Sequence, residues 1–234
     1  MSDPLRSLYP FLHDTPQDAA ALQAGLLESV RRKADDSAAA KRAFFDAHAG
    51  QVVDMARSLA QVYRRGGRLF TAGNGGSSCD AAHIAVEFLH PVTTGRPALA
   101  ATNLAGDIAM LTAVGNDVGF RHVFVRQLIA LARPGDALIG VSTSGSSENL
   151  LAAFAQARRM GLGTLALSGG NGGALALSPD VDLCLTVASD SIHRVQETHV
   201  AIYHIVWDLV HTLLADSRGA PAPAGSMQAQ HEIR

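Results

Sequence analysis

The sequence predicts an α/β fold: a five-stranded parallel sheet with helices on both faces, entered through an N-terminal helical arm. Two observations predict it. As far as about residue 65, apolar residues recur only at helical spacing. From Arg68 onward, short apolar runs of strand length alternate with longer helical patterns. Strands separated by helices imply crossover connections and a parallel sheet covered on both sides.

The first two elements are helical. Pro16-Gln17-Asp18 reads as a helix start, and Ala19 to Arg32 repeats apolar residues at helical spacing. A second helical pattern runs from Ser37 to Arg65 through Phe44, Phe45, Val52, Met55, Leu59 and Val62, and Gly66-Gly67 stops it. Arg68 to Ala72 reads as a buried strand, followed by a glycine turn and a helix from Ser77 to Leu89. Pro97 to Ala101 is the next expected strand, with helices around Asp107–Val114 and His122–Ala132. Asp136 to Val141 is the clearest strand; a serine-rich turn and a helix to about Met160 come after it. Gly163–Ser168 and Val181–Val187 complete the sheet, and a last helix covers Ser191 to Ala215. The expected organisation is an arm over residues 1–36, one domain over 37–216, and a disordered tail over 217–234 containing Pro221 and Pro223.

Composition narrows the class. At 234 residues, 47% hydrophobic and 17% charged, the chain can bury a sizeable core. A formal charge of -2 gives no electrostatic invitation to nucleic acid or to an anionic membrane. No apolar run is long enough to span a bilayer, and the start Met1-Ser2-Asp3-Pro4 lacks a signal-peptide pattern, so the expectation is a soluble cytoplasmic protein. Cys79 and Cys184, the only cysteines, supply neither a disulfide framework nor a thiolate metal site. Ten histidines make metal or pH-linked chemistry worth examining.

In an open parallel sheet, ligands gather where strands end and helices begin. Two such turns here are rich in small polar residues. Asn74-Gly75-Gly76-Ser77-Ser78 lets backbone amides approach a ligand at a helix N-terminus that favours an anion. It matches neither a dinucleotide fingerprint nor a P-loop. Ser142-Thr143-Ser144-Gly145-Ser146-Ser147 sets several hydroxyls beside the amides of a helix start, which suits a phosphate monoester. For one such turn ordinary helix capping is the better account; two turns after two strands shift the balance modestly towards a ligand site.

His83 and Glu87, four residues apart on a helix, stack on one face just past the glycine turn. The apolar Ile84, Ala85 and Val86 between them predict a largely buried helix. A second polar constellation spans Arg194 to His204. Gln196 and His204, eight residues apart, lie about 80° around the helix axis from each other, within reach of one site at its edge. His199 and His211 compete for the same role, and spacing does not choose among the three.

Together, Asn74-Gly75-Gly76-Ser77, Asp80-Ala81-Ala82-His83, Glu87, Gly115-Asn116-Asp117, Ser142-Thr143-Ser144-Gly145 with Ser147, and Gln196-Glu197 with His204 resemble the sugar isomerase (SIS) domain. More narrowly, they resemble the phosphoheptose isomerases, over roughly residues 38–215. The resemblance implies a three-layer flavodoxin-like SIS fold and a homotetramer with active sites at subunit interfaces. It implies that His83, Glu87, Gln196 and His204 ligate a divalent metal, typically zinc, and it selects His204 over His199. It places Asn74, Gly75, Gly76 and Ser77, with Asn116, Asp117 and Gln196, along the sugar, and gives the phosphate to Ser142, Thr143, Ser144 and Ser147. The implied reaction converts sedoheptulose 7-phosphate to a D-glycero-D-manno-heptose 7-phosphate through a metal-assisted enediolate, with Glu87 as base and His204 as acid.

The chain departs from the family after the glutamate, and its arm before Ser37 and tail after Ser217 are extra to the family pattern. After the glutamate the isomerases usually carry a Gly-Arg pair whose arginine helps to bind substrate; here the place is held by His90-Pro91, and the nearest arginine is Arg96. Two other outcomes are compatible with the motifs: a non-catalytic SIS module that binds a partner protein or senses a sugar phosphate, and an isomerase of a different phosphosugar. Retention of both Glu87 and His204 argues against the first.

Overall fold

The computed structural model describes residues 19–218 apart from Thr94. The expected helix start at Pro16–Asp18 and nearly all of the expected tail lie outside the described residues. The first element, α1 (Ala19–Arg64), is a single helix of 46 residues where the periodicity predicts two. Asp35-Asp36-Ser37 interrupts the apolar pattern but contains neither glycine nor proline, so nothing breaks the backbone ladder there. Contacts divide the chain at Ala39/Ala40, inside this helix. Up to Ala39 the described residues are almost all exposed, Leu22, Leu26, Leu27 and Val30 included. The unit from Ala40 onward holds the whole sheet and its covering helices.

That unit alternates strand and helix as β1 (Leu69–Gly73), α2 (Gly76–Leu89), β2 (Ala101–Asn103), α3 (Ile108–Asp117), a 3₁₀ turn (Phe120–His122) and α4 (Val123–Leu131). It continues as β3 (Ala137–Ser142), α5 (Glu148–Arg159), β4 (Gly163–Gly169), α6 (Gly173–Leu177), β5 (Leu183–Val187) and α7 (Ile192–Arg218). The expected second strand shifts, because extended residues before Ala101 bond elsewhere: Leu99 donates its N–H to the Phe88 carbonyl. Short α6 has no counterpart among the sequence expectations, since five residues cannot establish a helical period.

All five strands are parallel, in the order β2-β1-β3-β4-β5. Side chains alternate between the faces. Leu69, Ile139, Val141, Leu165, Leu167 and Leu185 join the core beneath α2, α7 and the second half of α1. Phe70, Ala72, Leu138 and Ala166 join the opposite core with residues of α3, α4, α5 and α6. The fully buried Phe70, Phe88, Phe124 and Phe154 anchor these layers, each stabilising by roughly 1.5–3 kcal/mol relative to exposure. No described helix is long and apolar enough to cross a membrane.

Two consequences position the site. From β1 the chain goes outward to β2 and returns to β3 on the other side, so connections diverge at the C-terminal ends of β1 and β3 and leave a crevice there. Further, α7 is tied to the sheet by His199, whose Nε2–H donates to the Ser168 carbonyl at 3.0 Å. Burial lowers the pKa of this imidazole to about 4, so it is neutral at pH 7.

Candidate active site

The glycine turn and the serine turn face each other across the crevice. Asn74, just after β1, and Asn149, in the first turn of α5, pair their carboxamides reciprocally at 2.9 and 2.8 Å. Asn149 is buried, and no sequence signal beyond its position after the serines points to it. Asn74 therefore fastens one turn to the other, so a sugar would meet only what its amide has left over.

The start of α2 is shaped by close approach. A Cβ on Gly73 would lie 2.2 Å from the Ser77 carbonyl oxygen, and one on Gly76 would lie 2.2 Å from Nε2 of Gln196. Gln196, from α7, thus rests its carboxamide on the first residue of α2. Gly75 supplies the positive φ of 54° that turns the chain into the helix, and Ser77 is buried beneath it.

Further along, α2 and α7 run side by side in the same direction, matched at a constant offset. His83 Nδ1 meets the Tyr203 hydroxyl at 2.8 Å, and the indole N–H of Trp207 donates to the Glu87 carbonyl oxygen at 2.8 Å. The ring centroids of His83 and His204 are 5.0 Å apart at 82°. This alignment gathers Gln196, Tyr203 and His204 along the face of α2 that carries Gly76, His83 and Glu87. His83 Nε2 lies 3.2 Å from Glu87 Oε1, and His83, Glu87 and His204 each offer a ligand atom within 4.8 Å of the others. His204 is the histidine that joins the group; His199 and His211 are buried in the core.

The electrostatics fit a cation or a proton-transfer site. Burial, and then the neighbouring His83, lower the pKa of His204 against the opposing pull of Glu87, leaving a neutral imidazole that keeps a lone pair at pH 7. Asp80, one turn before His83, is buried, and its Oδ2 has no hydrogen-bond partner among the described residues. Burial raises its carboxyl to about pH 6, and His83 partly offsets the rise. Burial also raises the Tyr203 phenol, and the carboxylates of Asp80 and Glu87 add to the effect. Tyr203 therefore stays a neutral partner of His83. When Nδ1–H donates to Tyr203, Nε2 presents its lone pair towards Glu87. Two imidazoles and a carboxylate make a nitrogen and oxygen donor set of the kind zinc accepts.

The serine turn does not behave as simple capping. Ser147 holds the N-cap position of α5, yet its hydroxyl makes no capping bond and instead meets Ser142 Oγ at 3.2 Å. Ser144 Oγ also lies 3.4 Å from Ser142 Oγ. The amide of Gly145 donates to Ser142 Oγ at 3.1 Å, and that of Ser146 to Ser144 Oγ at 3.3 Å. Three hydroxyls thus converge, with Thr143 half-buried beside them. Backbone packing fixes the turn: a Cβ on Gly145, whose φ is 63°, would lie 2.0 Å from the Gly172 carbonyl oxygen.

Asn116 and Asp117 stand apart. They are exposed at the end of α3, where Asn116 Nδ2 donates to Asp117 Oδ1 at 2.8 Å. No described hydrogen bond or ion pair joins them to either turn. Arg96 is also engaged elsewhere: its guanidinium carbon lies 4.3 Å from the centroid of the Trp207 ring, and the group pairs with Asp208. A cavity of about 310 Å³, lined in part by Ser58, Gln61, Asp136 and Asp182, opens at the opposite end of the strands. Its Asp136 is committed to the amides of Arg68 and Arg133, which makes it structural.

With this geometry in place, comparison with known proteins defines the class first: the family model described as "SIS domain" matches residues 34–169. A curated "Phosphoheptose isomerase" of Roseiflexus sp. (strain RS-1) is 43% identical over 174 residues, covering 74% of this chain and 87% of that protein. Among solved structures, a phosphoheptose isomerase from Francisella tularensis is 34% identical with a TM-score of 0.75, covering 80% of this chain and 98% of its own. Another, from Neisseria gonorrhoeae, is 35% identical with a TM-score of 0.74, covering 80% and 99%. The chain belongs to the phosphoheptose isomerase family.

Proposed function

We propose that this chain interconverts sedoheptulose 7-phosphate and a D-glycero-D-manno-heptose 7-phosphate, moving the carbonyl between C1 and C2 by proton transfer. The single observation that carries the assignment of residues is the convergence of His83, Glu87 and His204 on the seam between α2 and α7. In this reading the phosphate is held by Ser142, Thr143, Ser144 and Ser147. The sugar then extends over Gly75, Gly76 and Ser77 towards Gln196, with Asn74 keeping the two turns in register.

Glu87, as carboxylate, takes the proton from the carbon beside the carbonyl and returns it to the neighbouring carbon. His204 serves the two oxygens, giving a proton to one and accepting it from the other. The neutral form favoured by its surroundings suits a group that must do both. Tyr203 orients His83 through the bond to Nδ1. A divalent metal, zinc by the chemistry of the donors, would be held by His83, Glu87, Gln196 and His204 and would polarise the carbonyl and stabilise negative charge on oxygen.

The exposed Asn116 and Asp117 find a role if the protein is a homotetramer with interfacial sites, in which they complete the site of a neighbouring copy. The protein acts in the cytoplasm on a small anionic substrate and requires neither nucleic acid nor membrane.

A coupled assay across phosphorylated ketoses, heptulose first, tests this function. Wild-type protein is expected to turn over the heptulose phosphate, whereas Glu87→Gln loses at least about 10³-fold in kcat while retaining its fold. Full activity in Glu87→Gln would falsify the assigned base. No turnover of any sugar phosphate by the wild type would turn the assignment towards a binding module.

A further inference from the structure

The last turn of α2 carries Glu87, and its carbonyls must each find a donor. The Val86 carbonyl receives the His90 amide at 2.8 Å, and the Phe88 carbonyl receives the Leu99 amide at 2.8 Å. The helical partner of the Glu87 carbonyl would be the amide of residue 91. That residue is Pro91, which has no N–H. The donor comes from outside the helix: the indole of Trp207, one turn beyond His204 on α7, bonds the Glu87 carbonyl oxygen at 2.8 Å.

The indole is itself braced. Arg96 lies over its ring at 4.3 Å from the centroid and pairs with Asp208, the next residue of α7. His211 packs edge-on against it with 5.0 Å between centroids. Trp207 is buried, so its N–H has little water to turn to. A single bond thereby links the backbone of the residue bearing one reactive carboxylate to the helix bearing the reactive imidazole.

We propose that Trp207 is a positioning residue for Glu87, matched to Pro91 and braced by Arg96. Proline at 91 leaves the Glu87 carbonyl without its helical donor, and the indole N–H replaces that donor while fixing the distance between α2 and α7. The two residues form a complementary pair, so an N–H at 91 makes the indole N–H dispensable. This inference rests on the reading of Glu87 as the base.

The test is a double-mutant cycle between positions 207 and 91, read by kcat, KM and thermal midpoint. Trp207→Phe keeps an aromatic ring under Arg96 but removes the N–H together with part of the ring; it is expected to lower kcat about tenfold with KM within about twofold. Pro91→Ala restores a donor to the ladder. In the Trp207→Phe background it is expected to recover most of the lost kcat, whereas alone it changes kcat less than twofold. The thermal midpoint follows the same cycle, falling by about 3 °C in Trp207→Phe and recovering in the double variant. That readout remains available even if activity is too low to measure. Additive effects of the two substitutions, or a Trp207→Phe variant with wild-type kcat, would overturn the proposal. Glu87→Gln, assayed in parallel, separates the two failures. If it is inactive while Trp207→Phe is unaffected, only the brace is refuted; if it is active, the assignment of the base falls first.

Discussion

Gly76→Ala should separate activity from stability. Gly76 is the first residue of α2 and lies outside the left-handed region, so alanine meets no backbone strain there. Removing glycine's freedom in the unfolded chain is itself worth about 0.4–1 kcal/mol in favour of the fold. The new methyl group, however, would stand 2.2 Å from Gln196 Nε2 and 3.3 Å from its Cδ. Ordinary contact begins near 3.4 Å, so the carboxamide must retreat by more than 1 Å. A long flexible side chain can do this without disturbing the core. What it loses is its place on the first residue of α2, from which the proposed function has it reach the sugar and the metal. Misplacing a reacting group by about 1 Å costs on the order of 10²-fold in rate, equivalent to about 2.7 kcal/mol of barrier. The expected result is a thermal midpoint equal to or above wild type, with kcat/KM reduced about 10²-fold in the coupled assay. Gly73→Ala is the contrasting control. There the clash is with the Ser77 carbonyl oxygen at 2.2 Å, no side chain can yield, and stability itself should fall. Wild-type kcat/KM in a folded Gly76→Ala protein would refute the placement of Gln196 in the reaction.

Three further outcomes are expected. Metal analysis of purified wild type should find zinc or a similar divalent ion at up to one per chain, and His83→Ala should retain less than about a tenth of it; equal metal content in both sinks the ligand assignment. The low pKa of buried His199, about 4, against about 6.5 in the unfolded chain, means that the unfolded state takes up the proton first as pH falls. Its contribution is therefore full above about pH 6.5 and declines towards pH 4, by about 2 kcal/mol at pH 5. Urea unfolding at pH 8 and pH 5 should show in wild type a loss of stability that is about 2 kcal/mol smaller in His199→Gln, and an unchanged slope in the variant contradicts it. Finally, co-assembly of Glu87→Gln with Asp117→Ala chains should restore about a quarter of wild-type activity if sites are shared between copies; mixtures as inactive as their parents would place Asp117 outside the neighbour's site.

Much of the fold is legible in the sequence because parallel strands buried on both faces read as short apolar runs. Asp136–Val141 and Gly163–Ser168 fall within a residue or so of β3 and β4. The long α1 reads as two helices, because its pattern lapses where its ladder does not. The His83–Glu87 pair is legible from spacing within one helix. Tyr203 and Trp207 are not: they meet α2 only through the parallel packing of two helices far apart in the chain, and Gln196 joins the pair in the sequence only through the resemblance. The choice of His204 over His199 needs the resemblance or the structure, since both lie on α7 and only burial distinguishes them. Asn149 escapes a reading of the sequence for a related reason. It sits where a helix start ordinarily needs no special residue, and its reciprocal pair with Asn74 exists only once β1 and β3 are neighbours.

The two halves of the site are held by different means, and this bears on how they should fail. The serine turn is fixed by main chain against main chain: Gly145 packs on the Gly172 carbonyl, and the Leu175 amide donates to the Gly145 carbonyl at 2.8 Å. If this turn holds the phosphate as proposed, side-chain substitution within it alters donors without moving the frame, so KM should respond before stability does. A bulkier residue at Gly145 would instead dislodge the turn. The half proposed for proton transfer is held by side chains reaching between α2 and α7, through Gln196, Tyr203 and Trp207, so small changes in that seam should shift the proposed reacting groups while the sheet remains intact. The departure at His90-Pro91 falls in this second half, close to Glu87. It removes one main-chain donor, and α7 supplies another in its place. A local change in sequence is thus absorbed where the structure can adjust side chains, while the frame of the serine turn stays as the strand order dictates.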